Sequence, residues 1–413
     1  MLDAKLHINS TISDAHKGAR YLGIDIKNYY LGTPMKYYQY IRVLPKMIRQ
    51  EVWDDPRYAP HIEADGFVYM EIRRGMYGLK EAGILAFEQL VQKLAPHGYD
   101  PAPFTPGLWR HTTKPTTFTL CVDDFGVKYF TKTDALHLVS TLNKDYEITT
   151  DWAGSLYCGL TLDWHYDAGY VDISMPGYVD RALSKFQHPA PKRSQHAPHK
   201  WIEPVYGSKQ QQKPTEGASA APLDSTGTKR VQSVNGTFMY YGRAVDPCIL
   251  VALNEISTEQ AKPTTDTRDK SDMLMDYLHT YPNTVIRFHA SDMILKICSD
   301  AAYLVQPKAK SRVAVHFHLG WKTNPDRVNG AVAVLCQTLK NVVGSATEAE
   351  IGGVYTGGRH GAPMIATLEE MGHKQPSSTG TPFETDNSCA HGILNSKMRQ
   401  KLSKAFDICY WWM

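Results

Sequence analysis

Apolar and polar positions alternate through much of the first 150 residues. In FTLCVDDFGVKYF (118–130), Phe118, Leu120 and Val122 alternate with Thr119 and Cys121, which predicts a half-buried β-strand. Val127, Lys128, Tyr129 and Phe130 predict a second strand, with Asp123, Asp124, Phe125 and Gly126 left between the two. ARYLGIDIK (19–27) reads as a strand ending near Asp25, and FVYMEIR (67–73) as another with Val68, Met70 and Ile72 on one face. The period then lengthens. In EAGILAFEQLVQKL (81–94), Ile84, Phe87, Val91 and Leu94 share one helical face, and Pro96 and Gly98 end the helix. A further helix is expected over about 134–145, with Thr133 as its N-cap and Leu138, Val139 and Leu142 turned inward. YEITT (146–150) returns to strand. The order β, α, hairpin, α, β suits an antiparallel sheet with helices on one face.

GYVDRALSKF (177–186) predicts a short helix. The pattern then dissolves into PAPKRSQHAPHKW and GSKQQQKPTEGASAAP, so about 187–230 reads as a loop or linker too long for an ordinary connection. Helical periodicity returns in VNGTFMYYGRAVDPCILVALNEIS and DKSDMLMDYLHTYP. From 286 onward a second unit is expected, with MILKICSD (293–300), RVAVHFHLGW and AVAVLCQTLK as strands. SATEAEIGGVYTGGRHGAPMIATLEEMGH is mainly helical despite its glycines, TPFETDN a short strand and SCAHGILNS a short helix. The acids Asp300, Glu350 and Asp386 fall at the ends of these elements. The fold class expected is α+β, an antiparallel sheet with helices and a helical segment, followed by a mixed α/β domain.

Length and composition add limited detail. The 413 residues are too many for one ordinary domain, and 42% hydrophobic with 11% aromatic residues is enough to build cores. A net charge of +3 neither requires nor excludes a nucleic-acid partner. Between 181 and 213, Arg181, Lys185, Lys192, Arg193, Lys200, Lys209 and Lys213 face a single acid, Glu203, so that run is either a solvated linker or a phosphate-facing strip. Seven cysteines without a C-x-x-C spacing argue against a disulfide framework or a zinc module and for a reducing compartment. The pairs His196/His199 and His316/His318 have no companion ligand at metal-site spacing and read as surface or strand histidines. MLDAKLHINS has no apolar signal core and no run approaches a membrane span, so an intracellular, soluble chain is expected.

The two adjacent carboxylates at 123–124 have an ordinary reading, since Asp and Gly are good turn formers. They acquire another beside Asp25. Three carboxylates on one sheet edge repel unless cations lie among them, and hard Mg²⁺ ions favour oxygen ligands while leaving room for substrate phosphates. Two such ions would serve in-line attack at phosphorus. Tyr30, five residues after Asp25, is either a core aromatic or a floor for a sugar ring.

These strings together carry a resemblance. YLGIDIKNYYLGTPM resembles the first carboxylate motif of copia-type LTR-retrotransposon reverse transcriptases, and MEIRRGMYGLKEAGILAFEQL is similar to their Y-G-L-K-Q-A-P motif. FTLCVDDF resembles the aromatic-Val-Asp-Asp hairpin and LYCGLTLDW the primer-grip segment. SDAAYL, GSATEAEIGGVY and TDNSCAHGIL resemble, in order, the family's ribonuclease H motifs, and KLSKAFDICYWW its closing segment. The likeness runs from about residue 5 to the end, missing mainly the linker.

The resemblance implies a polymerase palm with truncated fingers at 1–155 and a thumb and connection at 156–285. A ribonuclease H-like domain would occupy 286–413. It implies RNA-directed DNA synthesis with hydrolysis of hybrid RNA, two Mg²⁺ per active site (or Mn²⁺), and as partners an RNA template, DNA primer, RNA–DNA hybrid, deoxynucleoside triphosphates and other retroelement proteins. Asp25 and Asp123 would hold the polymerase metals, with Asp124 beside them and the Ile26 carbonyl as a further ligand. Tyr30 would stand as a steric gate against a ribose 2′-OH, while Gly78 and Lys80 would contact the incoming nucleotide. Asp300, Glu350 and Asp386 would form the second metal site, with Asp407 a further catalytic acid.

Each of these acids also has a local reading. Ser345-x-x-Glu348 and Thr347-x-x-Glu350 both fit capping boxes, and Asp386-Asn387-Ser388 fits a helix start. Glu350 is preferred to Glu348 because it directly precedes the Ile-Gly-Gly-Val stretch. Several residues depart from the family pattern: Glu81, Gly83, Phe87, Cys121 and Cys158. Both chain ends read as cut, which implies a fragment of a Pol polyprotein without most of the fingers. The alternative is a polymerase-inactive remnant that binds nucleic acid or keeps only ribonuclease H activity. The location implied is cytoplasmic, in a virus-like particle, with nuclear entry.

Overall fold

The computed structural model describes residues 1–56, 62–200, 220–306, 309–324, 326–341, 343–376 and 380–398. Asp407 and residues 201–219 of the central low-complexity stretch lie outside them. By contacts the chain forms two compact units. One holds Leu22–Ala102 and Pro106–Asp151; the other holds Met1–Tyr21, Pro103–Thr105 and the described residues from Trp152 onward. Together they carry ten α-helices and sixteen strands among the described residues, a mixed α/β architecture dominated by antiparallel sheets.

The chain begins with α1 (Leu2–Ser13) and β1 (Arg20–Ile26). There follow β2 (Pro34–Val43), α2 (Gln50–Trp53), β3 (Val68–Arg74), α3 (Lys80–Leu94), β4 (Tyr99–Pro101) and β5 (Leu108–His111). After them come β6 (Thr117–Cys121), β7 (Asp124–Tyr129), α4 (Lys132–Leu142) and β8 (Ile148–Asp151). A six-stranded sheet has the order β4-β5-β6-β7-β1-β8, while β2 and β3 pair as a separate ribbon. The sheet core stacks Trp109 on Phe118 with ring centroids 5.4 Å apart, and Phe125 lies 5.0 Å beyond.

The α3 helix corrects the expected face. Ala82, Ala86, Leu90 and Leu94 are its buried residues, whereas Ile84 is 61% exposed. The i, i+4 row of small alanines is the one buried, and Phe87 at its margin meets Trp109 edge to face. Size alone favours Ile84. The α4 helix begins at Lys132, earlier than expected, because Thr131 and not Thr133 is the N-cap; its side chain accepts from the Asp134 N–H.

The other unit combines α1 with three groups of elements. Strands β9 (Leu156–Tyr157), β10 (Leu160–His165), β11 (Tyr170–Ser174) and β12 (Val285–His289) form an antiparallel sheet in the order β12-β11-β10-β9. Helices α5 (Tyr178–Lys185), α6 (Ser225–Ala244), α7 (Leu250–Glu259) and α8 (Thr265–Thr280) accompany it. The α6 helix starts inside the stretch expected to be linker, because the Asp224 carboxylate accepts from the Gly227 N–H and caps it. The last sheet contains β13 (Ile294–Gln306), β14 (Lys310–Gly320), β15 (Ala331–Thr338) and the two-residue β16 (Phe383–Glu384), in the order β15-β14-β13-β16. Only β16 runs parallel to its neighbour there. Helix α9 (Ala346–Glu370) packs on β13, and α10 (Ser388–Leu394) follows β16. One continuous core joins Leu6 and Ile12 of α1 to Ile173, Phe238, Leu253, Phe317 and Leu368.

Two features of this unit were not legible in the apolar pattern. Helix α1 is buried on nearly all sides although it carries Lys5, His7, Asn9 and Ser10. Burial lowers the Lys5 pKa to about 8, and its ammonium donates to the Arg243 carbonyl at 3.1 Å. The glycines of α9 have a packing reason. A Cβ at Gly357 would stand 2.6 Å from the Phe383 ring, and one at Gly361 2.5 Å from Ile297 Cδ1. Bare backbone is what lets this helix approach β13 and β16.

Candidate active sites

In the first unit the β6–β7 hairpin positions the carboxylates. Cys121 pairs with Asp124, so Val122 and Asp123 alone form the turn, and Asp124, Phe125 and Gly126 belong to the second strand. The tip thus lies two residues earlier than the pattern predicts. Val122 carries φ +63°, a conformation that costs a β-branched residue free energy and normally falls to glycine in such a turn. The Asp123 carbonyl accepts from the Ile26 N–H at 3.0 Å, fastening the turn beside Asp25 on β1. Asp25 itself pairs with Thr149 of β8.

Tyr77 donates to Asp123 Oδ2 at 2.8 Å, and its ring lies 4.8 Å from that of Tyr30. Burial, then the bond to Asp123, pushes the Tyr77 phenol up to about 12. Asp25 is held above the usual carboxylate range by partial burial and by the neighbouring Asp123. Of the adjacent tyrosines, Tyr29 is the core residue, buried with its hydroxyl on the Ala86 carbonyl at 2.9 Å. Tyr30 stays half-exposed, its hydroxyl 3.3 Å from where a Cβ on Gly83 would lie. A hollow of about 400 Å³ opens here, lined by Tyr30, Gly83, Ile84, Phe87, Leu120 and Val122. Gly78 has φ +98° in open space, with nothing within 4 Å of where a Cβ would lie, so it is the backbone conformation and not crowding that calls for glycine. Lys80 opens α3 two residues on.

In the second unit Asp300 lies on β13, Glu350 in the first turns of α9 and Asp386 just after β16. A carboxylate oxygen from each falls within 4.8 Å of the others. Glu350 is 5% exposed, accepting from the Ala301 N–H at 3.1 Å and the Thr385 hydroxyl at 3.3 Å. Burial raises its pKa first, and Asp300 and Asp386 add to the effect. Glu348 is occupied elsewhere: its carboxylate accepts from the Gly344 N–H while its own N–H caps on Ser345. Asn387, not Asp386, caps α10, accepting from the Ala390 N–H at 2.8 Å. The capping duties therefore fall on neighbours, and Glu350 and Asp386 remain directed at Asp300. An all-oxygen set around a buried carboxylate fits a hard divalent cation.

Asp25, Asp123 and Asp124 do not make a comparably tight group. Among the described residues only two clusters of three candidate ligands fall within 4.8 Å: Asp300/Glu350/Asp386 and Cys298/His316/His318. The second corrects the expectation that His316 and His318 lack a companion, because the sulfur comes from the neighbouring strand, Cys298 pairing with His316. Strand parity was the available signal, since 298 and 300, and 316 and 318, each share a face. Tyr77 and Thr385 were also missed, though each adjoins a residue singled out in the sequence.

No family model matches the chain, and no curated protein does. Among solved structures, a foamy viral protease–reverse transcriptase in complex with an RNA/DNA hybrid aligns at a TM-score of 0.45 and 12% identity. That alignment covers 95% of this chain. The chain spans 42% of that neighbour's length. No helix among the described residues is long and apolar enough to cross a membrane.

Proposed function

We propose that the chain is an RNA-directed DNA polymerase with ribonuclease H activity from a copia-type retroelement Pol polyprotein, acting on a primed RNA template, deoxynucleoside triphosphates and RNA–DNA hybrid. The observation that carries the reading is the convergence of Asp300, Glu350 and Asp386 from three separate elements, with Glu350 buried at the centre. Seven motifs in family order support it from the sequence.

Asp300, Glu350 and Asp386 would hold the hydrolytic Mg²⁺ pair, and Asp25, Asp123, Asp124 and the Ile26 carbonyl the polymerase pair. Bound there, Mg²⁺ would neutralise charge on the scissile phosphate and lower the pKa of an attacking water or 3′-hydroxyl. Thr385 and the Ala301 amide keep Glu350 turned toward Asp300. The Tyr77 hydroxyl holds Asp123, and the Tyr30 ring beside it would act as the steric gate against a ribose 2′-OH. Gly78 and Lys80 would contact the nucleotide, and Asp407 would act at the hydrolytic site. Assembly in a cytoplasmic virus-like particle with other retroelement proteins belongs to the same proposal.

The test is cleavage of a labelled RNA–DNA hybrid in Mg²⁺ by the chain and its Asp300→Asn variant. Cleavage abolished in the variant supports the hydrolytic reading; a folded, hybrid-binding chain that does not cut rules it out. A second reading is favoured by one observation, that the first-unit acids are not gathered into a three-ligand group. In it the chain cuts hybrid but does not extend a primer, and primer extension separates the two.

A further inference from the structure

A second cluster lies one step along the same strands as the acid triad. Cys298 precedes Asp300 by two residues on β13, and Glu384 precedes Asp386 by two across the parallel pair β13–β16, where Cys298 and Glu384 are register partners. His316 and His318 lie on β14, opposite Cys298 and Lys296. One ligand atom each from Cys298, His316 and His318 falls within 4.8 Å of the others, and the two imidazole rings are 5.2 Å apart. The Cys298 thiol donates to Glu384 Oε2 at 3.4 Å, which puts a carboxylate at the edge of the group.

We propose that Cys298, His316 and His318, completed by Glu384, bind a single Zn²⁺ ion that fastens β16 to the sheet. His318 is the decisive residue. It is 1% exposed, yet neither ring nitrogen has a hydrogen-bond partner. Buried polar side chains are normally satisfied, so a wholly unpartnered imidazole aimed at a thiol and a second imidazole is explained by a ligand to its nitrogens. The donor set also selects the ion. One sulfur, two imidazoles and one carboxylate suit tetrahedral zinc rather than Mg²⁺. Zinc bonds of about 2.0–2.3 Å set ligand atoms roughly 3.3–3.6 Å apart, so Cys298, His316 and His318 need to close by little more than about an ångström, with Glu384 joining from beside the sulfur.

Charge is consistent with this assignment. A Cys298 thiolate and the Glu384 carboxylate together balance Zn²⁺, with both histidines neutral. Binding displaces the thiol proton to solvent. Lys296 is the opposing feature, being buried and paired with His318. Its stem packs at Gly320, on the side of His318 away from Cys298. The structural consequence follows from the length of β16. Two residues of parallel pairing hold it to β13, and a metal bridging Glu384 to both β13 and β14 would fix it far more firmly.

The test uses the full chain, stripped of metal and titrated with Co²⁺, then Zn²⁺. One equivalent of cobalt should produce a thiolate-to-cobalt absorption band with the strong visible bands of tetrahedral coordination, displaced by zinc but not by Mg²⁺. The Asp300→Asn chain should behave identically, which separates this site from the acid triad. Cys298→Ser should lose the thiolate band, and zinc should raise the melting temperature of the native chain but not of that variant. If Cys298→Ser does not fold, His316→Ala takes its place, with the band expected to fall or vanish. A folded native chain giving no thiolate band, or a band undiminished in either variant, overturns the proposal.

Discussion

Replacing Gly357 by alanine tests how the helix face of α9 governs the position of Asp386. The new Cβ would lie 2.6 Å from Phe383 Cζ, 2.9 Å from Cε2 and 3.0 Å from Ile297 Cγ2. Carbon atoms in contact prefer about 3.5–4.0 Å, so helix and strand must part by about 1 Å or the ring must turn. Overpacking of this kind costs about 1–3 kcal/mol, partly offset by about 1 kcal/mol of helix propensity gained over glycine. A net loss of about 0–2 kcal/mol is expected. Gly236, exposed within α6, has nothing within 4 Å of its Cβ position, and alanine there should stabilise by about 0.5–1 kcal/mol. The two substitutions should therefore shift the urea midpoint in opposite directions. Phe383 starts the short segment that carries Glu384, Thr385 and Asp386, so displacement should reach the acid cluster. A misplacement near 1 Å costs about 10²-fold in rate, so under the proposed hydrolytic reading hybrid cleavage by Gly357→Ala should fall toward that limit while Gly236→Ala cuts at the native rate. If Gly357→Ala is stabilised as Gly236→Ala is, the close approach of α9 to β16 is wrong. If it is destabilised but cuts at the full rate, the link from helix face to Asp386 is refuted.

Three further outcomes are expected. Glu350 has a folded-state pKa raised above its unfolded value, so the folded state holds the proton more tightly and stability falls as pH rises from 4.5 through the raised value. In metal-free protein Glu350→Gln should thus be more stable than the native chain at neutral pH, with the gap closing toward pH 4.5; urea midpoints in chelator that differ by a constant amount at all pH values would count against this. Val122→Gly should relieve a left-handed conformation worth about 1–2 kcal/mol against a glycine entropy cost of about 0.5–1 kcal/mol, leaving a gain of up to about 1.5 kcal/mol; a loss of stability would show that the turn is not strained. In Asp123→Asn the Tyr77 phenol should titrate below the value of about 12 in the native chain, read as the phenolate absorbance difference from a Tyr77→Phe background, and an unchanged titration would place Tyr77 away from Asp123.

The residue pattern alone located many of the elements, though not α1, β2, β4, β5 or β9–β12. Strand alternation located β1, the β6–β7 hairpin and the β13–β15 meander, because period-two burial is written into the residues themselves. Helix faces were less secure. Ile84 outweighs Ala82 and Ala86 in hydrophobicity, yet the alanines face the sheet, because close packing rewards a small contact as well as an apolar one. Helix α1 carried no readable amphipathic face, since its lysine, histidine and asparagine are buried by neighbours from distant parts of the chain. The glycines of α9 look like helix breakers until Phe383 and Ile297 are found against them. The sequence preferred Glu350 to Glu348, and the tertiary structure brings Glu350 together with Asp300 and Asp386 while Glu348 caps its own helix. Tertiary structure alone gathers Cys298, His316 and His318. Their spacing within the chain matches no metal motif, and only the pairing of β13 with β14 brings thiol and imidazoles together, because cross-strand register depends on the whole sheet and not on local sequence.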